Sequence, residues 1–422
     1  MVGDTSPTTL SARLLAVISV AWGVVFVLVV GGPVSARAVV LSGDTVDGAT
    51  ASQRSLSRGT FPSVTMKSGE LSDSDGRVIW ARRPDARRSM ASITKIMTAV
   101  VALEHSSLTE TITVPRAAAV IGQSSAFLYA GERLSMKDML GAMLVKSGND
   151  AAISIAVAVG GTQNRFVQMM NAKAGELGLT ETHFVNPHGL DATGHYSSAR
   201  DLAVLARYAM QKPAFRSIVR KKSVRIGPSG RKHALASTDL LLGHYPGAVG
   251  VKTGNTNSAG YSVVSAAVRD GVTLYAVVLG TASDAQRFHD ASQLLDWGFA
   301  HYRPQSLLAS GTVLGEAPLA DYLDGTVPAG VSGDVTATVL DLNGTIRRTI
   351  ALAPVRTPVK VGDAVGAVTF TQGGKLVTAE PLVAVRAVRA PNPFERVWIA
   401  LVRGWRAVFG VSAFPATAVA GR

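Results

Sequence analysis

Three short stretches of this chain hold side chains that could make and break an acyl bond. In MASITKIMTAV, residues 90–100, Ser92 and Lys95 stand three positions apart, where an apolar helical pattern begins. Residues three apart share a helix face one turn apart, so an amine at 95 can reach a hydroxyl at 92. A serine in a first helical turn also sets its backbone N–H at the positive end of the helix dipole. LVKSGNDAA supplies Ser147 and Asn149 between two helical patterns. VGVKTGNTNSAGYSVV supplies Lys252, Thr253 and Gly254 at the start of a strand-like run. A serine–lysine acyl-transfer site needs a nucleophile, a nitrogen base, a hydroxyl to relay a proton and a cationic strand edge to align substrate. All four occur here in chain order.

Taken singly these stretches say little. An isolated Ser92 reads as a helix cap and Lys95 as a solvated lysine. Ser229 and Lys232 repeat the spacing in GPSGRK, where Gly and Pro argue a loop that would not fix the two side chains. Ser-Gly-Asn is an ordinary turn composition, and Lys-Ser-Gly occurs at both 67–69 and 146–148. Order and context single out the three.

The elements that must position them follow from periodicity. Ile93, Ile96, Met97, Val100 and Leu103 recur at helical spacing, and MKDMLGAMLV, DAAISIAVAV and ARDLAVLARYAM continue in that period. GRVIWARR after SDSDG reads as a hairpin strand. The period then becomes two: GYSVVSAAVRDGVTLYAVVLG is a pair of β-branched runs around Arg269-Asp270-Gly271, a hairpin signal, closed by the helical DAQRFHDASQLLDWGF. This is an α/β arrangement with a mainly antiparallel sheet. From about Pro304 short strands and turns such as Asn343-Gly344 predict a small all-β domain. In NPFERVWIALVRGWRAVF, Phe394, Val397, Trp398, Leu401, Trp405 and Val408 share one face with Arg396, Arg403 and Arg406 away from it, the pattern of an amphipathic helix in a membrane interface.

The 422 residues suit two domains with terminal appendages. No cysteine is present, so disulfides, thiolate nucleophiles and Cys-ligated metals are excluded. The net charge of +13 suits an anionic partner. Scattered basic residues and only 6% aromatics give no stacking platform for nucleic acid. After Arg13 an apolar run of about 20 residues ends in small residues at Val34-Ser35-Ala36, which reads as an export signal or an uncleaved anchor. The expected divisions are a signal or anchor over 1–36, a linker over 37–61, a catalytic domain over 62–303, a β-rich domain over 304–390, an amphipathic helix over 391–412 and a tail over 413–422.

The triple Ser92/Lys95, Ser147/Asn149 and Lys252/Thr253/Gly254 resembles the penicillin-interacting serine D,D-peptidases. ASITKIMTA, SGNDAA, THFVNPHGLD, SSARDLAVLARYA, KTGNTNSAGYSVV and LLDWGF look like the D-alanyl-D-alanine carboxypeptidases in particular, densely over 62–302. The resemblance implies a penicillin-binding-protein/β-lactamase-like domain with an antiparallel sheet packed by helices, then the all-β domain and amphipathic helix. It implies an exported enzyme, membrane-associated at the extracytoplasmic face or cell wall, that removes the terminal D-alanine of peptidoglycan stem pentapeptides through an acyl-serine intermediate. β-Lactams would inhibit it, and neither metal nor cofactor is required. Ser92 would be the nucleophile, Lys95 its base, Ser147 the relay to the leaving amine, and Asn149 a donor and acceptor to the substrate amide. Lys252 would support the electrostatics, Asn255 would join Ser92 in an oxyanion hole, and Thr253 and Arg287 would clamp the substrate carboxylate. His188 is expected to be structural.

Two departures stand out: Asp239 replaces the family's usual Asn before the Leu pair, and ELSDSDG replaces an Asp-x-x-Thr-Gly turn. Ser-Gly-Asn stands where class A β-lactamases have Ser-Asp-Asn, without an evident deacylating glutamate loop. A β-lactamase and a non-catalytic wall-binding or β-lactam-sensing protein remain the alternatives. A nucleic-acid binder is inconsistent with the export signal.

Overall fold

A computed structural model describes residues 44–46, 49–50, 61–227 and 233–409. The expected signal or anchor, most of the linker, the Ser229/Lys232 pair and the tail lie outside the described residues. Strands β1 (Thr45–Val46) and β2 (Ala49–Thr50) precede a hairpin of β3 (Ser68–Asp73) and β4 (Val78–Arg82). The Asp73 carboxylate closes that hairpin by accepting the N–H groups of Asp75 and Arg77 at 3.0 and 2.8 Å. A 3-10 turn, Ala91–Thr94, runs into α1 (Lys95–His105), so the helix expected from Ser92 begins one turn later.

A helical layer follows. It contains β5 (Thr111–Thr113), α2 (Arg116–Ala119), β6 (Arg133–Ser135), α3 (Met136–Leu144), α4 (Asn149–Gly160), α5 (Gln163–Glu176), α6 (Ala199–Gln211) and α7 (Pro213–Val219). Ser135, Thr162 and Ser198 cap α3, α5 and α6 by accepting an N–H of the first turn. The small hairpin β7 (Ser223–Ile226) and β8 (His233–Ala236) leads to β9 (Ala248–Thr256), β10 (Gly260–Arg269), β11 (Val272–Thr281) and α8 (Asp284–Ala300). Asp270 and Gly271 both take left-handed backbone, at φ +48° and +77°, as the two-residue turn between β10 and β11 requires.

The seven-stranded sheet is antiparallel throughout, in the order β2-β1-β4-β3-β11-β10-β9, with β9 at an edge. Val264, Ala266, Val277 and Leu279 face a core shared with α1, α3, α4 and α6, whereas Val263, Ala267, Ala276 and Val278 face a second core with Trp80, Phe288 and Leu294. Burial on both faces explains why β10 and β11 read as nearly continuous apolar runs.

The β-rich region comprises β12 (Tyr302–Leu308), β13 (Val313–Pro318), β14 (Thr326–Gly330), β15 (Val335–Leu340), β16 (Ile346–Leu352), β17 (Ala364–Gln372) and β18 (Lys375–Ala384). β12 pairs with β15, and the other five form a sheet in the order β13-β14-β18-β17-β16 around Leu314, Val327, Val368, Phe370 and Leu382. The last helix, α9 (Pro393–Val408), starts in a capping box of Asn392 and Glu395. Its exposed face carries Phe394, Val397, Trp398, Leu401, Trp405 and Val408, and Ile399 is buried. Two of its arginines serve the protein itself: Arg403 donates to the carbonyls of Ala320 and Tyr322, and Arg406 forms a two-point pair with Asp324 at 2.9 and 3.0 Å. They dock the helix and leave its aromatic face outward.

Candidate active site

Lys95 is fully buried at the start of α1. Its Nζ lies 2.8 Å from Ser92 Oγ, 2.8 Å from Asn149 Oδ1 and 2.6 Å from the carbonyl oxygen of His188. Burial is the main cause, and the Lys252 cation the second, of an amine held well below its ordinary basicity, with Asp150 opposing them. A weakly protonated amine against a hydroxyl is the arrangement of a base and its nucleophile.

Ser147 sits before α4 with left-handed backbone, φ +68°, which a side-chain-bearing residue rarely adopts. That turn aims its hydroxyl at Lys252, whose Nζ donates to Ser147 Oγ at 2.9 Å and to the Thr253 carbonyl at 2.9 Å. Lys252 is fully buried on β9. Burial first, and Arg287 second, bring its pKa down to about 7, against the attraction of Asp239. Lys252 thus helps to suppress the Lys95 proton, and Arg287 acts on Lys252 in the same way.

Asn149 opens α4 and is committed on both ends of its amide: Oδ1 accepts from Lys95, and Nδ2 donates to the Gly122 carbonyl at 3.0 Å. The expected role as acceptor from substrate is thus filled by Lys95, leaving one N–H. Asp150 holds the facing loop by accepting Ser125 Oγ–H at 2.7 Å and the N–H groups of Ala126 and Leu128.

Two glycines let other segments approach the turn bearing Ser92: Gly254 from the edge of β9 and Gly189 from the segment between α5 and α6. A Cβ on Gly254 would lie 2.8 Å from the Met90 carbonyl oxygen and 3.1 Å from Ala91 Cβ. At Gly189, φ +92°, it would lie 2.0 Å from the Ala91 carbonyl oxygen. Ala91 itself has φ +51°. The result is a cavity of about 280 Å³ that Ser92, Ser147, Asn149, Thr253, Gly254, Asn255 and Arg287 all line. Lys95 and Lys252 reach it through the hydroxyls they hold.

Arg287 on α8 differs from the expected open fork. Its Nη1 donates to the carbonyls of Gly254 and Ser262 at 2.9 and 3.2 Å, its Nη2 pairs with Asp284, and its buried Nε has no partner. Most of the guanidinium braces β9 against β10. Thr253 Oγ1 meets Thr238 Oγ1 at 2.6 Å.

Sequence reasoning missed the second layer. Thr238 lines the cavity, and Asp239, noticed only as a departure, is buried with Oδ2 unpartnered. Burial raises its pKa to about 6, while the Leu241 N–H and the Lys252 and Arg287 cations pull it down. The His188 carbonyl that holds Lys95 carried no side-chain signal. Its ring, brought to about pKa 3 by burial and by Lys95, is neutral at pH 7. Among the described residues, no group of three or more His, Asp or Glu side chains is placed to hold a metal ion.

An antiparallel sheet packed by helices, with a buried lysine against a serine at the head of one of them, defines a penicillin-binding type of serine peptidase. Residues 62–283 match the D-alanyl-D-alanine carboxypeptidase family, and this chain belongs to it. Residues 302–390 match the C-terminal domain of penicillin-binding protein 5. Among curated relatives, the D-alanyl-D-alanine carboxypeptidase DacC of Escherichia coli is 32% identical, over 83% of this chain and 90% of that protein. DacF of Bacillus subtilis is 29% identical, over 75% and 84%. The crystal structure of penicillin-binding protein 5 from Haemophilus influenzae superposes with a TM-score of 0.57 at 27% identity, covering 78% of this chain and 99% of that one. The Streptomyces K15 DD-transpeptidase gives 0.53 at 32%, covering 57% and 98%. The chain is a serine peptidase of a family that acts on peptidoglycan peptides outside the cytoplasm and binds β-lactams.

Proposed function

We propose that Ser92, Lys95, Ser147, Asn149, Lys252, Thr253, Gly254, Asn255 and Arg287 form the working site of a serine D-alanyl-D-alanine carboxypeptidase trimming stem pentapeptides. The observation that carries this reading is the Lys95 amine, fully buried, held below its usual basicity and 2.8 Å from Ser92 Oγ. Ser92 Oγ attacks the carbonyl carbon of the penultimate D-alanine as Lys95 takes its proton. The N–H groups of Ser92 and Asn255 receive the oxyanion. The C–N bond breaks as Ser147, hydrogen-bonded to Lys252, gives its proton to the leaving D-alanine amine and is reprotonated from the Lys95 ammonium, which leaves Lys95 neutral again. Water, with Lys95 again as base, releases the acyl group. Arg287 and Lys252 supply positive charge for the substrate carboxylate, and Thr253 a hydroxyl.

The test uses diacetyl-Lys-D-Ala-D-Ala and benzylpenicillin. The wild type should release D-alanine and carry one penicilloyl adduct, mapped by mass spectrometry to the peptide containing Ser92. Ser92→Ala and Lys95→Ala should lose both. An adduct elsewhere would overturn the assignment of the nucleophile. Rapid turnover of the drug would indicate a β-lactamase, and binding without D-alanine release a sensor.

We also propose the domain division given above, export through residues 1–36, and attachment to anionic membranes through the Trp398 and Trp405 face of α9. No helix among the described residues is long and apolar enough to cross a membrane. The outward aromatic face supports surface attachment.

A further inference from the structure

A second cavity, of about 600 Å³, lies between the β3–β4 turn, helices α6 and α7, and strands β9 to β11. It shares no lining residue with the cavity of Ser92. Tyr275 of β11 lines it and is only 6% exposed, yet its hydroxyl makes no hydrogen bond within the protein. Buried polar groups are ordinarily paired, so this one is a donor without an acceptor. Burial raises the Tyr275 pKa, and the guanidinium groups of Arg207 and Arg216 pull it down, which places both cations beside that hydroxyl. Arg220 lines the cavity as well, and among its described lining residues none is acidic. All three arginines keep donors to spare. Arg207 uses Nη1 on Ser72 Oγ at 3.1 Å, and Arg216 uses Nη1 on the Met210 carbonyl at 2.8 Å. Two carboxylates, Glu70 and Asp73, attract Arg207, and both are engaged elsewhere: Glu70 lies 3.7 Å from Arg200, and Asp73 accepts from the Asp75 and Arg77 N–H groups and the Tyr302 hydroxyl. The cavity is left with a surplus of positive charge.

We propose that this cavity binds an organic phosphate monoester. The match is one of charge and donor count. A phosphate monoester carries about −1.5 to −2 charge at neutral pH and three strong acceptor oxygens. Arginine forks bind phosphate oxygens in pairs, and the Tyr275 hydroxyl supplies a further donor. A carboxylate brings a single charge and two oxygens, too few for three guanidinium groups and a phenol. The volume lies within the roughly 300–1,000 Å³ range of small-molecule sites and exceeds what a bare phosphate needs. Met210, Val249 and Val268 give the organic part an apolar wall.

The probe is mono-n-butyl phosphate, titrated by calorimetry into the full chain at low salt and pH 7.5. Controls are pentanoate, a carboxylate of matching chain, and methyl butyl phosphate, a singly charged diester. The monoester should bind about tenfold tighter than either, the gain expected from one further charge-assisted hydrogen bond. Arg207→Gln/Arg216→Gln should weaken it about tenfold or more, with D-alanine release at the wild-type rate as the sign of an intact fold. Tyr275→Phe removes an atom that holds nothing in the free protein, so Tm should not fall. That variant should bind the monoester about fivefold more weakly and lose the tyrosine ultraviolet difference signal that the ligand induces in the wild type. Displacement of butyl phosphate by phosphatidic acid vesicles, and not by phosphatidylglycerol ones, would give a lipid headgroup as the source of the phosphate; no displacement by either would give a soluble one. Equal binding of the monoester and pentanoate, unchanged affinity in the double variant, or a difference signal that survives Tyr275→Phe would each overturn the proposal.

Discussion

Lys252→Met keeps a side chain of similar length in place of a buried cation, and its stabilising effect should fade as pH rises. In the folded protein Lys252 has a pKa of about 7 against an ordinary 10.5. Below pH 7 it is charged in both folded and unfolded states, and the folded state bears the full penalty of burying that charge. Between about 7 and 10.5 the unfolded state binds more protons, so wild-type stability rises with pH. At about 1.4 kcal/mol for each pH unit, the full interval corresponds to about 5 kcal/mol. Methionine forfeits the hydrogen bonds to Ser147 Oγ and the Thr253 carbonyl, roughly 1 kcal/mol each. The variant should therefore be about 3 kcal/mol more stable than wild type at pH 6, and level with it near pH 9. Urea unfolding at pH 6, 7.5 and 9 measures this directly. A gap that stays constant with pH would refute the argument that Lys252 is held in the fold against its charge. D-Alanine release should fall at every pH tested, so the stabilised protein would be the less active one.

Three further outcomes follow from the geometry. Gly254→Ala should lower kcat/KM for D-alanine release by about tenfold or more while the protein stays folded by circular dichroism, because its methyl displaces β9 from the turn of Ser92 by a few tenths of an ångström; unchanged kinetics would show that the two segments part freely. Arg287→Ala should impair release from peptides more than acylation by a neutral activated ester, and a matched loss on both would assign Arg287 to bracing Gly254 and Ser262 alone. A signal-free chain ending at Pro391 should no longer sediment with anionic liposomes yet keep activity on soluble peptide; if the full-length signal-free chain also ignores liposomes, the aromatic face of α9 is not a membrane contact.

The gathering of Ser92, Lys95, Ser147, Asn149 and Lys252 was legible because its parts are local: a serine and lysine one turn apart, a Ser-Gly-Asn turn before a helix, a lysine on a strand. The β10–β11 hairpin was legible for the same reason, since Asp270-Gly271 fixes its own turn. What escaped depends on partners distant in sequence. Nothing near Arg287 shows that its donors meet carbonyls of β9 and β10. Nothing near Asn149 shows that Lys95 takes its oxygen. Arg403 and Arg406 lay off the apolar face as expected, but only the fold shows Asp324 and the carbonyls of Ala320 and Tyr322 facing them. The start of α1 was misjudged by a turn, because Ala91 adopts a left-handed backbone that no propensity for alanine would suggest.

That left-handed alanine ties together two positions far apart in the chain. A glycine at 91 would relieve the backbone, yet Ala91 is buried, and its methyl occupies space a side chain at 254 would need. The gap between the turn bearing Ser92 and the strand edge is filled from the turn, by the Ala91 methyl, the Ile93 side chain and the Met90 carbonyl oxygen. Neither position can drift alone: enlarging 254 crowds the turn of Ser92, while shrinking 91 frees its backbone and loosens the Ser92 hydroxyl. The placing of the Ser92 hydroxyl thus rests on a small amount of permanent conformational tension, kept in place by a side chain with no chemistry of its own.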